Sequence, residues 1–259
     1  MKQIDIDYKI HIKQEFKQTQ IFMHDLHYKK EYSGQIDALI NAEWDEVTRN
    51  KDVFIFNGPV SCLDHYELRG RDLHIYYCES DYKSYYGTNI KNSKNLKDKS
   101  DLANTLAVCT VVETSDNMLI VGKRGSQLAE GTCLWHVPGG TLEYYSNKEN
   151  GPFEVMRKEL AEELNLTCIR NMVCLGFGEN LNFQKPEFLL YTQTDLTSSE
   201  IKEKDHLAPD FNEHSEISFI PSNLIEKFLE ENDFTEIGTA AIRLYLEKVG
   251  IIQNNTVEL

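Results

Sequence analysis

Between Leu134 and Leu166 a short apolar stretch leads through Pro138-Gly139-Gly140-Thr141-Leu142-Glu143 to a charged segment, Arg157-Lys158-Glu159-Leu160-Ala161-Glu162-Glu163-Leu164-Asn165-Leu166. No other part of the chain restricts the fold as tightly. Phe153, Met156, Leu160 and Leu164 recur at helical spacing and form one apolar face. Pro152 stands where a helix accepts proline, in its first turn. Glu159, Glu162 and Glu163 fall at i, i+3 and i+4, so three carboxylates share another face. Like charges so spaced repel by roughly a few tenths of a kcal/mol per exposed pair. Such a face is either a solvated acidic surface or a place where a divalent cation turns repulsion into attraction. Mg2+ is held by carboxylates, water and substrate phosphates. A Gly-Gly turn just ahead brings backbone carbonyls near a metal and backbone amides near a phosphate. A solvated face alone does not account for the order strand, Pro-Gly-Gly, acidic helix.

The rest of the chain divides near residue 100. In the first part, Ile4 to Ile12 alternates with period two and reads as a strand. Gln35 to Thr48 carries Ile36, Leu39, Ile40 and Trp44 at helical spacing. Val53-Phe54-Ile55-Phe56 and Leu73 to Tyr77 read as strands, and the polar stretch Lys91 to Asp101 reads as a linker or exposed loop. In the second part, Leu106 to Val112 and Met118 to Val121 flank an Asp116-Asn117 turn and predict a hairpin. Leu134–Val137, Cys168–Gly176, Phe188–Gln193 and Ile217–Ile220 are further strands, and Ser222–Glu231 and Ile237–Val249 are amphipathic helices. Strands and helices mix without a regular βαβ period, which predicts an α+β chain, a mixed αβα sandwich. The expected division is 1–100 and 101–259.

Charge narrows the partners. The 259 residues hold 27 Lys+Arg against 42 Asp+Glu, a net charge of −15. That field disfavours DNA, RNA and anionic lipid, and a phosphate substrate would need a metal to mediate. No apolar run approaches the roughly 18–20 residues of a membrane span. The alternating opening is unlike a signal peptide, so a cytoplasmic location is expected. Six cysteines are scattered without a CxxC pair and read as buried free thiols. His24 and His27 read as a surface pair, and His136 either faces the site or is an ordinary strand histidine.

The segment from Lys158 to Leu166 resembles the helix half of the Nudix box, Arg-Glu-apolar-x-Glu-Glu-x-Gly-apolar, and the flanking strand order is similar too. Lys158 stands where the family has arginine, keeping the charge but losing the planar fork. Asn165 replaces the glycine, and asparagine accepts a left-handed helix cap. The loop from Gly140 to Lys158 is longer than the family's, which leaves Glu149 as the nearest loop glutamate and Asn150 at its aligned position. From about residue 36 to about residue 248 the chain is similar to the branch acting on UDP-glucose and UDP-galactose. The similar stretches include Glu43-Trp44-Asp45-Glu46, Phe56-Asn57-Gly58-Pro59, Tyr82 to Asn89, Arg124 to Glu130, Val137 to Gly140, Pro186-Glu187-Phe188 and Gly238 to Ile242.

The resemblance implies a Nudix fold with an N-terminal α/β extension or small domain that recognises substrate. It implies Mg2+-dependent hydrolysis of a nucleoside diphosphate sugar, with Mn2+ as an alternative ion. Glu159, Glu162, Glu163 and the Gly140 carbonyl are expected to hold metal. Glu162 doubles as a candidate base, Lys158 orients glutamates or meets a phosphate, and Glu187 is a further ligand or base. Arg124 or Lys123 and the Gly139 backbone are expected at the diphosphate. Tyr86, Gly87, Thr88 and Asn89 are expected in a substrate-binding turn, with Tyr85 or Tyr86 stacking on the base. The alternatives are another nucleoside diphosphate substrate such as ADP-ribose, or a weak nucleotide-binding module. The partner is a small molecule, not nucleic acid or membrane, and the chain is a monomer or homodimer.

Overall fold

The computed structural model describes residues 7–51, 53, 55–145, 151–210 and 213–251. The first half contains β1 (Tyr8–Ile12), β2 (Ile21–Lys29), α1 (Gly34–Arg49), β3 (Pro59–Arg69), β4 (Asp72–Asp81) and α2 (Tyr82–Tyr85), which runs on into a π-helical turn, Tyr86–Ile90. Then come β5 (Ala107–Glu113), β6 (Met118–Arg124), β7 (Trp135–His136), β8 (Gly139–Thr141) and α3 (Pro152–Leu164). The chain closes with β9 (Asn171–Asn180), β10 (Lys185–Gln193), α4 (Ser198–Lys202), β11 (His214–Pro221), α5 (Ile225–Glu231) and α6 (Glu236–Lys248).

The strands make two sheets. The larger runs β1-β9-β10-β5-β6-β11, with β8 added to β5 and β7 to β6; the smaller runs β2-β4-β3. In the large sheet only β10 with β5 is parallel. The expected hairpin forms, but β5 and β6 pair only at Val112–Ile120 and Glu113–Leu119. Beyond that point β5 takes β8 through Cys109–Gly139, and β6 takes β7 through Gly122–His136. The strands part, and the Pro-Gly-Gly segment fills the opening.

Period-two alternation along β5 builds a core on each side of the large sheet. Val108 and Val112 join Phe153, Met156, Leu160 and Leu164 of α3, together with Leu73, Ile75 and Tyr77 of the small sheet. Cys109 and Val111 join Ile237, Ala240, Ala241 and Tyr245 of α6. Each fully buried Leu or Phe contributes roughly 1.5–3 kcal/mol. The α+β sandwich holds, with the second sheet sharing a layer with α3.

The sheets cross the division expected at residue 100. β1 pairs with β9. β3 meets the second part through Leu106 N–H to Ser61 O (2.9 Å), Ser61 N–H to Leu142 O (2.8 Å) and Leu63 N–H to Asn104 O (2.9 Å). The 91–101 stretch is anchored too: Ser93 Oγ donates to Asn182 O at 2.6 Å. The strand expected at 53–56 is absent from its described residues: Val53, Ile55 and Phe56 are outside any strand, and Phe56 is 70% exposed. Cys133 and Cys168 are exposed, against the expectation of burial; the other four cysteines are buried. Among the described residues no helix is long and apolar enough to cross a membrane.

Candidate active site

The helix that carries the three glutamates is fixed at both ends. Pro152 opens it after Gly151, and Asn165 closes it at φ +51°. That left-handed cap lets Leu166 N–H reach Leu160 O at 2.9 Å and Asn165 N–H reach Ala161 O at 3.1 Å. The apolar face is buried, which turns Glu159, Glu162 and Glu163 toward β8 and β11. Gly139 and Gly140 lie in a short strand rather than the expected turn, and the bend falls at Pro138. Both glycines are demanded by crowding. A Cβ on Gly140 would lie 2.3 Å from Glu159 Oε1, and one on Gly139 would lie 2.9 Å from Cys109 Cβ. Successive residues of a strand face opposite ways, so the β8 backbone separates Glu159 from Cys109.

Charge is concentrated here. Burial, and then repulsion from Glu163, pushes the Glu159 carboxyl up to about 9. Glu163 is 3% exposed and lies 3.2 Å from Nε2 of His214 on β11. The His214 ring packs on Gly122, where a Cβ would come within 2.4 Å of Nδ1, and that nitrogen has no hydrogen-bond partner. Next to it, burial and Glu163 raise the Glu213 carboxyl. Lys158 bridges Glu143 at 3.1 Å and Glu162 at 3.6 Å. Burial opposes its charge, but the hydrogen bond it donates to Glu143 prevails and its pKa rises. Lys158 thus pairs with Glu162, and Glu143 is a partner the sequence did not single out. Glu149 and Asn150 lie outside the described residues.

The two basic candidates on β6 separate. Lys123 sits over the Trp135 ring at 5.9 Å. Arg124 is half-buried, donates from Nε to Glu130 O at 3.1 Å, and its charge acts on Glu130, Glu187 and Glu213. Glu187, expected as a further ligand or base, lies with Cys109 and His136. The ligand atoms of these three lie within 4.8 Å of one another, and all three residues are buried. Burial, partly offset by Lys185, leaves the Glu187 carboxyl at about 7. Burial, with Arg124 and Lys185, drives the His136 pKa down. Lys185 is itself paired with Glu130 at 3.0 Å.

The Tyr86–Asn89 stretch is not an open turn. Thr88 Oγ1 donates to Ser84 O at 2.7 Å, and Asn89 Nδ2 donates to Phe183 O at 2.8 Å. Ala103 N–H donates to Asn89 Oδ1 at 2.9 Å. Gly87 is pressed on α1, where a Cβ would lie 2.8 Å from the Ile40 Cα. Tyr86 is 5% exposed and packs edge-on against Trp44; Tyr85 is fully buried and donates to Glu130 Oε2 at 2.9 Å. None of these side chains presents a free face to a ligand. Of these, Asn89 alone reaches the 180–184 turn that leads into β10, through Phe183 O and Gln184 O. His24 and His27 also go separate ways, to His74 Nδ1 at 2.8 Å and Asp25 at 3.2 Å.

Sequence reasoning missed His214, Glu143, Cys109, Glu130 and Lys185. A histidine three residues before a strand pattern and a lysine two residues before Glu187 were the available signals; neither is distinctive without the register.

A family model described as the NUDIX domain matches residues 103–237. The human uridine diphosphate glucose pyrophosphatase NUDT22 is 25% identical over 240 aligned positions, covering 79% of this chain and 78% of that protein. Two solved structures are similar at low identity. DR0079 from Deinococcus radiodurans is 16% identical with a TM-score of 0.41, covering 54% of this chain and 83% of its own. The NUDIX domain of Shewanella oneidensis NrtR, solved with ADP ribose, is 14% identical with a TM-score of 0.42, covering 62% and 99%.

Proposed function

Because this chain belongs to the Nudix family, we propose that it hydrolyses the pyrophosphate bond of a nucleoside diphosphate sugar, with UDP-glucose or UDP-galactose giving UMP and a sugar 1-phosphate. The observation that carries the hydrolase reading is the α3 face. Glu159 is packed against Gly140 so closely that no side chain fits between them, with Glu163 one turn on. The sugar-nucleotide reading draws on the similarity to the human UDP-glucose pyrophosphatase, which extends through both parts of the chain.

The residues fit a hard divalent ion. They offer only oxygen, and burial followed by repulsion from Glu163 raises the Glu159 carboxyl, a cost that a bound cation would relieve. Mg2+ or Mn2+ held by Glu159, Glu162, Glu163 and the Gly140 carbonyl would supply charge neutralisation at the phosphates and an activated water. The chain's own groups do the rest. Lys158 fixes Glu162 through a pair shared with Glu143. The His214 ring anchors Glu163. Arg124 brings a cation to the diphosphate, and the first part of the chain shapes the substrate side by bracing the 180–184 turn rather than by direct contact.

The test is product analysis with Mg2+ on UDP-glucose, UDP-galactose, GDP-mannose, ADP-ribose and diadenosine tetraphosphate side by side. UMP release from the UDP-sugars is expected. Glu163→Gln keeps the shape and removes the charge, and should lower the rate by about a hundredfold or more. Turnover of GDP-mannose alone would overturn the UDP-sugar assignment, turnover of diadenosine tetraphosphate alone would overturn the sugar-nucleotide assignment, and turnover of none would overturn hydrolysis.

A further inference from the structure

We propose that Cys109, His136 and Glu187 form a second cation site, selective for Zn2+, on the opposite side of β8 from the glutamates of α3. The donors come from three strands. Cys109 and Glu187 share one face of the parallel β5–β10 ladder, where Glu187 pairs with Ala107 and Leu189 with Cys109. His136 arrives from β7, across the opening between β5 and β6. All three ligand atoms fall within 4.8 Å of one another.

The chemistry of the set differs from that of α3. Thiolate, imidazole and carboxylate together suit zinc and are poor ligands for Mg2+, which prefers oxygen and keeps its water. Tetrahedral zinc with bonds of about 2.0–2.3 Å separates its ligand atoms by roughly 3.3–3.8 Å, so a closure of about 1 Å by side-chain rotation completes the site. Three protein ligands leave one position for water or for a donor atom of a small molecule.

The surroundings are arranged as a metal site requires. His136 Nδ1 is 2.6 Å from Thr235 Oγ1, which also accepts from Gly238 N–H at 3.2 Å as the α6 cap. That bond engages Nδ1 and assigns Nε2 to the metal, as outer partners do for ligating histidines. A Cβ on Gly238 would lie 2.8 Å from the same Nδ1, so the ring is wedged in place. Burial, and then the charge of Glu187, push the Cys109 thiol up. Two cations stand nearby, and both are engaged: Lys185 by Glu130 at 3.0 Å, Arg124 by the Glu130 carbonyl. Binding replaces the S–H bond of Cys109 with a Zn–S bond and releases that proton to solvent. The site stands on its own geometry, whether or not the sugar-nucleotide reading holds.

The experiment uses the full metal-free chain in excess Mg2+ with Co2+ as probe. Thiolate ligation produces a sulfur-to-cobalt charge-transfer band in the near ultraviolet; an all-oxygen site produces none. A band saturating at one Co2+ per chain and bleached by Zn2+ is expected. It should vanish in Cys109→Ser and survive in Glu163→Gln. His136→Gln leaves the thiol and should weaken Co2+ binding about tenfold or more, which keeps the test open if the cysteine variant does not fold. A wild-type chain without the band overturns the proposal. So does a band that persists without Cys109, which would belong to exposed Cys133 or Cys168.

Discussion

At the scale of single residues, Glu159 couples protons, metal and folding. Its carboxyl titrates at about 9 in the fold against 4.5 as the ordinary value. A raised acid contributes fully below pH 4.5, and that contribution is lost as pH climbs toward 9, because the unfolded chain sheds the proton first. In chelator, the urea midpoint should therefore fall between pH 5 and pH 8, and Glu159→Gln should flatten the fall. Mg2+ competes with that proton, so its affinity should rise with pH, by at most about tenfold per unit for one proton displaced. A wild-type midpoint that climbs with pH in chelator would contradict the repulsion between Glu159 and Glu163. The three glutamates were legible because a helix converts spacing into a face. His214 was not, because it reaches Glu163 across 51 positions, and only the pairing of β11 with β6 places it there. Cys109 was hidden for the same reason, and for His136 the sequence left open whether it faces the site.

At the scale of elements, the Tyr86–Ile90 turn is a brace. Asn89→Ala removes the donor to Phe183 O and leaves Ala103 N–H with Thr88 Oγ1 at 3.1 Å, and should destabilise the chain by about 1–3 kcal/mol. Thermal unfolding reads that cost. A direct substrate contact would instead raise KM with no change in stability, and that result would restore the binding role read from sequence. Gly-Thr-Asn suggested a turn because those residues favour turns in isolation; packing against α1 overrides the preference. α3, α6 and the central strands were legible from clean periodicity. β2 and β3 were missed because both shift register and the outer face of their sheet mixes stacked rings with the Glu67–Arg69 pair. Phe22 stacks on His74 at 4.8 Å, His24 on Tyr76 at 4.6 Å and His65 on Tyr76 at 4.2 Å. With aromatic residues on both faces, the alternation that marks a strand disappears. The apolar run at 53–56 misled in the other direction, since its Phe56 points to water.

At the scale of the whole molecule, the two parts share a core and a sheet. The α3-side core draws on Leu73, Ile75 and Tyr77 as much as on β5. A chain beginning at residue 101 loses that cover and β1. It should show native-like far-ultraviolet circular dichroism without a cooperative melt, and should bind a hydrophobic dye. A sharp melt with Mg2+ binding intact would show that 101–259 folds alone. The same sheet order has a consequence during synthesis. His11 of β1 meets Glu179 of β9 across 168 positions. At about 5–20 residues per second, the opening strand leaves the ribosome roughly ten to thirty seconds before its partner is made. For that interval Ile10 and Ile12 form an unpaired ribbon beside a growing chain, available to a holdase or to the same strand of a neighbouring ribosome's product.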